Sequence, residues 1–139
     1  MKKFFAAFFI VISISIFNLT GCNRNNVIGS NLGVYNIPVL ANTPNAFSFL
    51  VNAYNYNYSD SHLLQINADT LTVAITITGH SNGTGSIIVK DDKGESIYQK
   101  SFESGIVATD VFKISAEPKS VNLSFSNYTG KITIAVAGK

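Results

Sequence analysis

The chain has 139 residues, ten Lys and Arg against eight Asp and Glu, one cysteine and no tryptophan. A single cysteine excludes an internal disulfide, and so small a charge excess excludes the basic stripe that nucleic-acid binding needs. The length suits one domain with a packed core once any processing segment is set aside.

Lys2 and Lys3 precede an apolar run, residues 4–19, broken only by Ser13, Ser15 and Asn18. The run is shorter than the roughly 20 residues of an untilted membrane-spanning helix, so it reads as the core of an export signal over residues 1–21. It ends in Leu19-Thr20-Gly21-Cys22. This stretch resembles the lipobox of bacterial lipoproteins, in which Leu and two small residues precede the cysteine that receives lipid. The resemblance implies cleavage before Cys22 and a thioether to diacylglycerol there, the thiolate being the nucleophile. Two or more acyl chains would then hold the protein stably on a membrane. Asn23 follows the cysteine, where lipoproteins kept at the inner membrane commonly carry Asp. By that resemblance the protein goes to the outer membrane of a Gram-negative cell, or to the outer face of the membrane of a Gram-positive one. Without Lys2 and Lys3 the acidic and basic counts are equal.

Residues 22–45, rich in Asn and Gly with Pro38 and Pro44, read as a lipidated tether. About 20 such residues, if disordered, reach on the order of 25 Å. Within them residues 34–40 are apolar enough to dock as a first edge strand. From residue 46 the period becomes two. Phe47, Phe49 and Val51 alternate with polar neighbours, and Leu71, Val73, Ile75 and Ile77 alternate with Thr and Ala. Ile87 and Val89 resume the pattern after a glycine-rich stretch, and Asp91-Asp92-Lys93-Gly94 supplies a turn. Further strands are expected at residues 96–102, 107–114, 121–126 and 131–137, with Pro118 and Tyr128-Thr129-Gly130 as breaks. The last of them, residues 131–137, is a candidate edge through which a subunit of a surface assembly would pair with its neighbours.

No stretch of ten or more residues after the signal has helical periodicity. Seven or eight short strands with frequent turn signals predict an all-β domain over residues 46–139, an antiparallel β-sandwich. A small β-barrel is the alternative. The layout resembles the immunoglobulin-like and jelly-roll domains of many surface proteins, which implies architecture and no particular function.

Gly79-His80-Ser81-Asn82-Gly83 matches G-x-S-x-G, the nucleophile elbow of serine hydrolases. An elbow needs a helix after the serine, whereas Gly83-Thr84-Gly85 leads here into another apolar alternation. His62 is the only other histidine, and it precedes the motif. The stretch therefore reads as a glycine-rich connection, and no catalytic residue is assigned. Tyr54, Tyr56 and Tyr58 alternate with Asn55 and Asn57, so on a regular strand the three rings share one face. That face is the expected binding surface, because aromatic rings stack on sugars and anchor protein interfaces. Asp91, Asp92 and Glu95 match no calcium loop, and the two histidines have no zinc spacing. No metal, nucleotide or other cofactor is expected. These features point to a lipid-anchored, non-enzymatic binding or adaptor module facing an envelope protein or glycan. The alternatives are a structural subunit of a surface assembly and a carbohydrate-binding protein that uses the tyrosine face. A small serine hydrolase using Ser81 with His62 has the least support.

Overall fold

The computed structural model describes residues 34–139. The signal segment, Cys22 and the first part of the expected tether lie outside the described residues. Six strands follow one another: β1 (Val39–Thr43), β2 (Ala46–Leu63), β3 (Thr70–Lys90), β4 (Ser96–Phe102), β5 (Ile106–Lys113) and β6 (Ser120–Gly138). All pairings are antiparallel, in the order β1-β2-β6-β3-β4, with β5 also on β3. The all-β antiparallel fold is as the period-two pattern predicts. It is made, however, from six strands, three of them long, rather than from seven or eight short ones.

The long strands set the architecture. Straight, an 18-residue strand would run about 60 Å, far beyond a domain of this size, whose radius of gyration is about 13 Å. β2 instead doubles back on itself. Its Phe47 ring stacks 5.3 Å from the ring of His62, and Phe49 lies 5.4 Å from Tyr58. β3 and β6 bend at the same level. The β2–β6 register slips between Ala53 and Tyr58, and the β3–β6 register slips between Thr78 and Thr84. Left-handed backbone makes the bends, at Asn55 and Asn127 and at Gly79 and Gly83. Asn and Gly are the residues that adopt this conformation most readily, so these bulges sit where the sequence can hold them.

The crease divides one sheet into two layers. The first contains β1, residues 46–53, 130–137 and 70–78, and β5. The second contains residues 58–63, 120–126 and 84–90, and β4. Between the layers sits an apolar core from alternate positions of every long strand. Phe49 of the first layer stacks on Phe125 of the second at 5.6 Å. Among the described pairings none joins β1 to β4 or β5, so the sheet stays open and is no barrel.

Two expected boundaries move. The ordered sheet starts before residue 46. Asn36 N–H donates to the Asn52 carbonyl at 2.8 Å, and β1 pairs with β2 along its whole length. The first strand begins at Val39 rather than at residue 34, because Asn36 is left-handed and Pro38 has no N–H to give a ladder. Residues 131–137 are not an edge either. They are flanked by β2 and β3 and carry three buried core side chains, Ile132, Ile134 and Val136. An apolar alternation this regular is what a central strand needs, and a free edge does not.

Candidate binding faces

The crease decides where the sequence-predicted site residues go. Tyr54 and Tyr56 are two apart, yet left-handed Asn55 between them breaks the alternation. Tyr54 therefore faces solvent, 58% exposed, and packs on Tyr35 at 5.8 Å. Tyr56 turns inward, 7% exposed, and stacks on Tyr58 at 5.5 Å and on Phe125. The three tyrosines do not share a face, which corrects the expectation of a tyrosine platform. The interleaved amides explain why: they build the bend. Asn57 Oδ1 accepts the Asn127 N–H at 2.9 Å, Asn57 Nδ2 donates to Asn127 Oδ1, and Asn55 N–H donates to Thr129 Oγ1.

Gly79-His80-Ser81-Asn82-Gly83 is the crease of β3. The strand runs on through it, and no helix follows. The motif is thus a bend inside one strand rather than a link between two. His80 Nε2 sits 3.1 Å from the Gly83 carbonyl, and its ring packs on Tyr128. His62 is engaged elsewhere: the Tyr58 hydroxyl meets its Nε2 at 2.9 Å, and Phe47 stacks on its ring. Burial, with the Asp60 carboxylate adding to it, pushes the Tyr58 hydroxyl up to about 12, and that hydroxyl donates to Asp60 Oδ2 at 3.5 Å. Asp91 accepts the N–H groups of Lys93 and Glu95 at 2.9 and 2.8 Å, closing the β3–β4 hairpin as an Asx-turn.

The register brings together residues that the sequence keeps apart. On the outer face of the second layer Ser59 pairs with Ser124, Ser124 with Ser86, and Ser86 with Ser101. Four serines from four strands form one row, spaced by the roughly 4.8 Å between neighbouring strands. Beside it Ser61 pairs with Asn122, Asn122 with Ile88, and Ile88 with Gln99. A groove of about 460 Å³ lies along these rows, lined by Ser59, Asp60, Ser61, Ser86, Ile88 and Asn122. Ser61 Oγ donates to Asn122 Oδ1 at 2.7 Å, which orients the Asn122 amide nitrogen as a donor. Among the described residues Asp60 is the only charged one lining the groove. The surface is therefore neutral to weakly acidic, with hydroxyl donors and acceptors around a small apolar floor. Serines at alternate positions of separate strands are the sequence signal, and register alone brings them together.

The outer face of the first layer is different. One row runs through Val39, Leu50, Thr133, Thr76 and Val107. That row carries no charge.

No family model and no curated protein matches the chain. Among solved structures the fold is similar to that of Bacillus endospore appendages, described as disulfide-linked pili. That match has 9% identity and a TM-score of 0.44, covering 80% of this chain and 99% of the other. The enzymatically active domain of the bacteriophage CBA120 tailspike protein 4 is similar at 14% identity and a TM-score of 0.37. It covers 73% of this chain and 17% of the other. BiXyn10A CBM1 in its apo form is similar at 14% identity and a TM-score of 0.34, covering 73% and 81%.

Proposed function

We propose that this protein is a non-enzymatic binding module, held on a bacterial envelope by lipid at Cys22, whose serine groove takes a neutral polyhydroxylated ligand such as a glycan. The observation that carries the reading is the row Ser59, Ser124 and Ser86 beside the Asn122 amide, over a groove of about 460 Å³. That volume lies within the range of about 300–1,000 Å³ in which small-molecule sites usually fall. Hydroxyls and amides bind a sugar through paired donor and acceptor bonds, each worth roughly 1 kcal/mol net, and the Ile88 side chain offers a C–H face of the ring somewhere to rest. A groove without a cation gives a phosphate or sulfate nothing to pair with. The lipobox-like Leu19-Thr20-Gly21-Cys22 supports the anchor.

Binding of the purified protein to an array of neutral and anionic glycans tests the ligand class. The wild type should retain neutral oligosaccharides, and Ser86→Val with Ser124→Val should weaken that binding at least tenfold. Valine suits a strand, so the fold should survive. Equal retention by the double variant, or a preference for anionic glycans, would remove the reading. Palmitate labelling should disappear in Cys22→Ala, and labelling that persisted would refute the anchor. A fluorophosphonate probe that marks the wild type but not Ser81→Ala would replace the binding module with a hydrolase.

A further inference from the structure

Among the described residues four strand segments leave backbone groups free at the rim of the sheet, and three of them are blunted. β1 is five residues long and follows Pro38. Residues 58–63 of β2 carry Asp60 and come directly after two register slips. β4 is seven residues long and has a register slip opposite Val89 and Lys90. Short length, proline, bulges and charge are the devices that keep sheet edges from pairing with other chains.

β5 has neither proline nor bulge, and its one exposed charge, Lys113, stands at its very end. It is eight residues long and pairs with β3 in unbroken register from Thr70↔Lys113 to Ile77↔Ile106. Its outer side chains are Val107, Thr109 and Val111, with the two valines 79% and 64% exposed. Its single acid, Asp110, is taken up within the molecule by Lys100 at 2.8 Å and by the Tyr98 hydroxyl at 2.6 Å. The direction of its free groups follows from one bond. Ile114 N–H donates to the Asp69 carbonyl at 3.0 Å, continuing the β3–β5 register. Antiparallel ladders alternate, so Phe112, Asp110 and Ala108 also bond to β3. The N–H and C=O groups of Val107, Thr109 and Val111 then point off the free edge.

We propose that β5 pairs antiparallel with β5 of a second copy of this chain, about a twofold axis at Thr109. The strand Ile106-Val107-Ala108-Thr109-Asp110-Val111-Phe112 is nearly palindromic about that residue. Such symmetry is what an isologous contact requires, since each residue meets its mirror position. The twofold sets Val107 against Val111 of the second copy and Thr109 against its own counterpart, in both directions. These are the residues whose backbone groups are free, so every one of those groups is satisfied. Ile106 meets Phe112 on the inner side, and Asp110 meets Ala108, so no like charges oppose each other. Toward the ends Lys113 lies opposite Gly105, two residues from Glu103, where the charges have opposite sign. A translation pairing β5 with β1 would instead give a parallel contact with the shorter, proline-flanked edge. The contact is independent of what the serine groove holds, and neither test decides the other.

Disulfide trapping in the full-length chain tests the register. A hydrogen-bonded antiparallel pair holds its Cα atoms about 5.5 Å apart, within disulfide range, so Thr109→Cys should give a covalent dimer under mild oxidation. In Val107→Cys the two thiols would sit four residues out of register, roughly 13 Å apart, and no dimer should form. Wild type carries only Cys22 and controls for linkage through that thiol. Light scattering gives a second readout that needs no cysteine. Wild type should grow in mass with concentration, and Thr109→Pro should not, with an unchanged circular dichroism spectrum, because the lost N–H faces away from β3. Equal trapping at positions 107 and 109, failure to trap at 109, or open-ended filaments in place of dimers would each overturn the proposal.

Discussion

Tyr128 is fully buried among Phe102, Phe125 and His80, and its hydroxyl has no hydrogen-bond partner among the described residues. Burial alone pushes that hydroxyl up to about 12. An unpaired buried hydroxyl carries a desolvation penalty of about 1–3 kcal/mol. Tyr128→Phe removes the penalty and keeps the ring, so the urea midpoint should hold steady or rise. Asp110 is the opposite case. Hydrogen bonds from Lys100 first and from Tyr98 second hold its carboxyl below the usual carboxylate range. The unfolded chain therefore binds a proton more readily than the folded one. The resulting stability is present above the ordinary Asp value, near 3.9, and is lost as pH falls through the lower folded value. Wild-type urea midpoints should drop more steeply below about pH 5 than those of Asp110→Asn.

At the scale of elements, the crease is the feature on which the fold depends. Gly83 has φ of +85°, and an added Cβ would run into the backbone carbonyl of Ser126 and the backbone of Asn127. Gly79 has φ of +62° with open space around it. Both substitutions to Ala meet left-handed strain, which costs about 1–3 kcal/mol, but only Gly83→Ala adds a clash with backbone that cannot yield. Chemical denaturation should thus find Gly83→Ala clearly the more damaging, with Gly79→Asn close to neutral. Asn57→Ala removes both bonds across the crease to Asn127 and should lower stability by about 1–2 kcal/mol. Phe125 packs on Phe49, Tyr56, Tyr58, Phe102 and Tyr128 from both layers. Truncating it to Ala should cost about 3–5 kcal/mol, read from the same denaturation curves.

For the whole molecule, folding one sheet along a crease gives two outer faces of different chemistry and, among the described residues, four free rim segments, of which β5 is the least guarded. If β5 joins two copies, mass action links assembly to stability. The wild-type melting midpoint should then rise with protein concentration, while that of Thr109→Pro stays flat.

The sequence by itself determined the all-β character, the absence of helical periodicity, the inward positions such as Phe47, Phe49, Leu71 and Ile134, and the turn at residues 91–94. Each is written in short-range alternation or in one residue's own backbone preference. Tertiary structure decided the rest. Left-handed Asn55 undid the tyrosine face, because a single bulge inverts every later side chain of a strand. The glycine motif at residues 79–83 became a bend inside β3, since a strand that turns and a strand that ends leave the same local signal. Residues 131–137 became the centre of the sheet, and the serine row arose from residues up to 65 positions apart, Ser59 and Ser124. Register and strand order are properties of pairing between distant segments. A period of two fixes which way a residue points, and says nothing of which strand lies beside it.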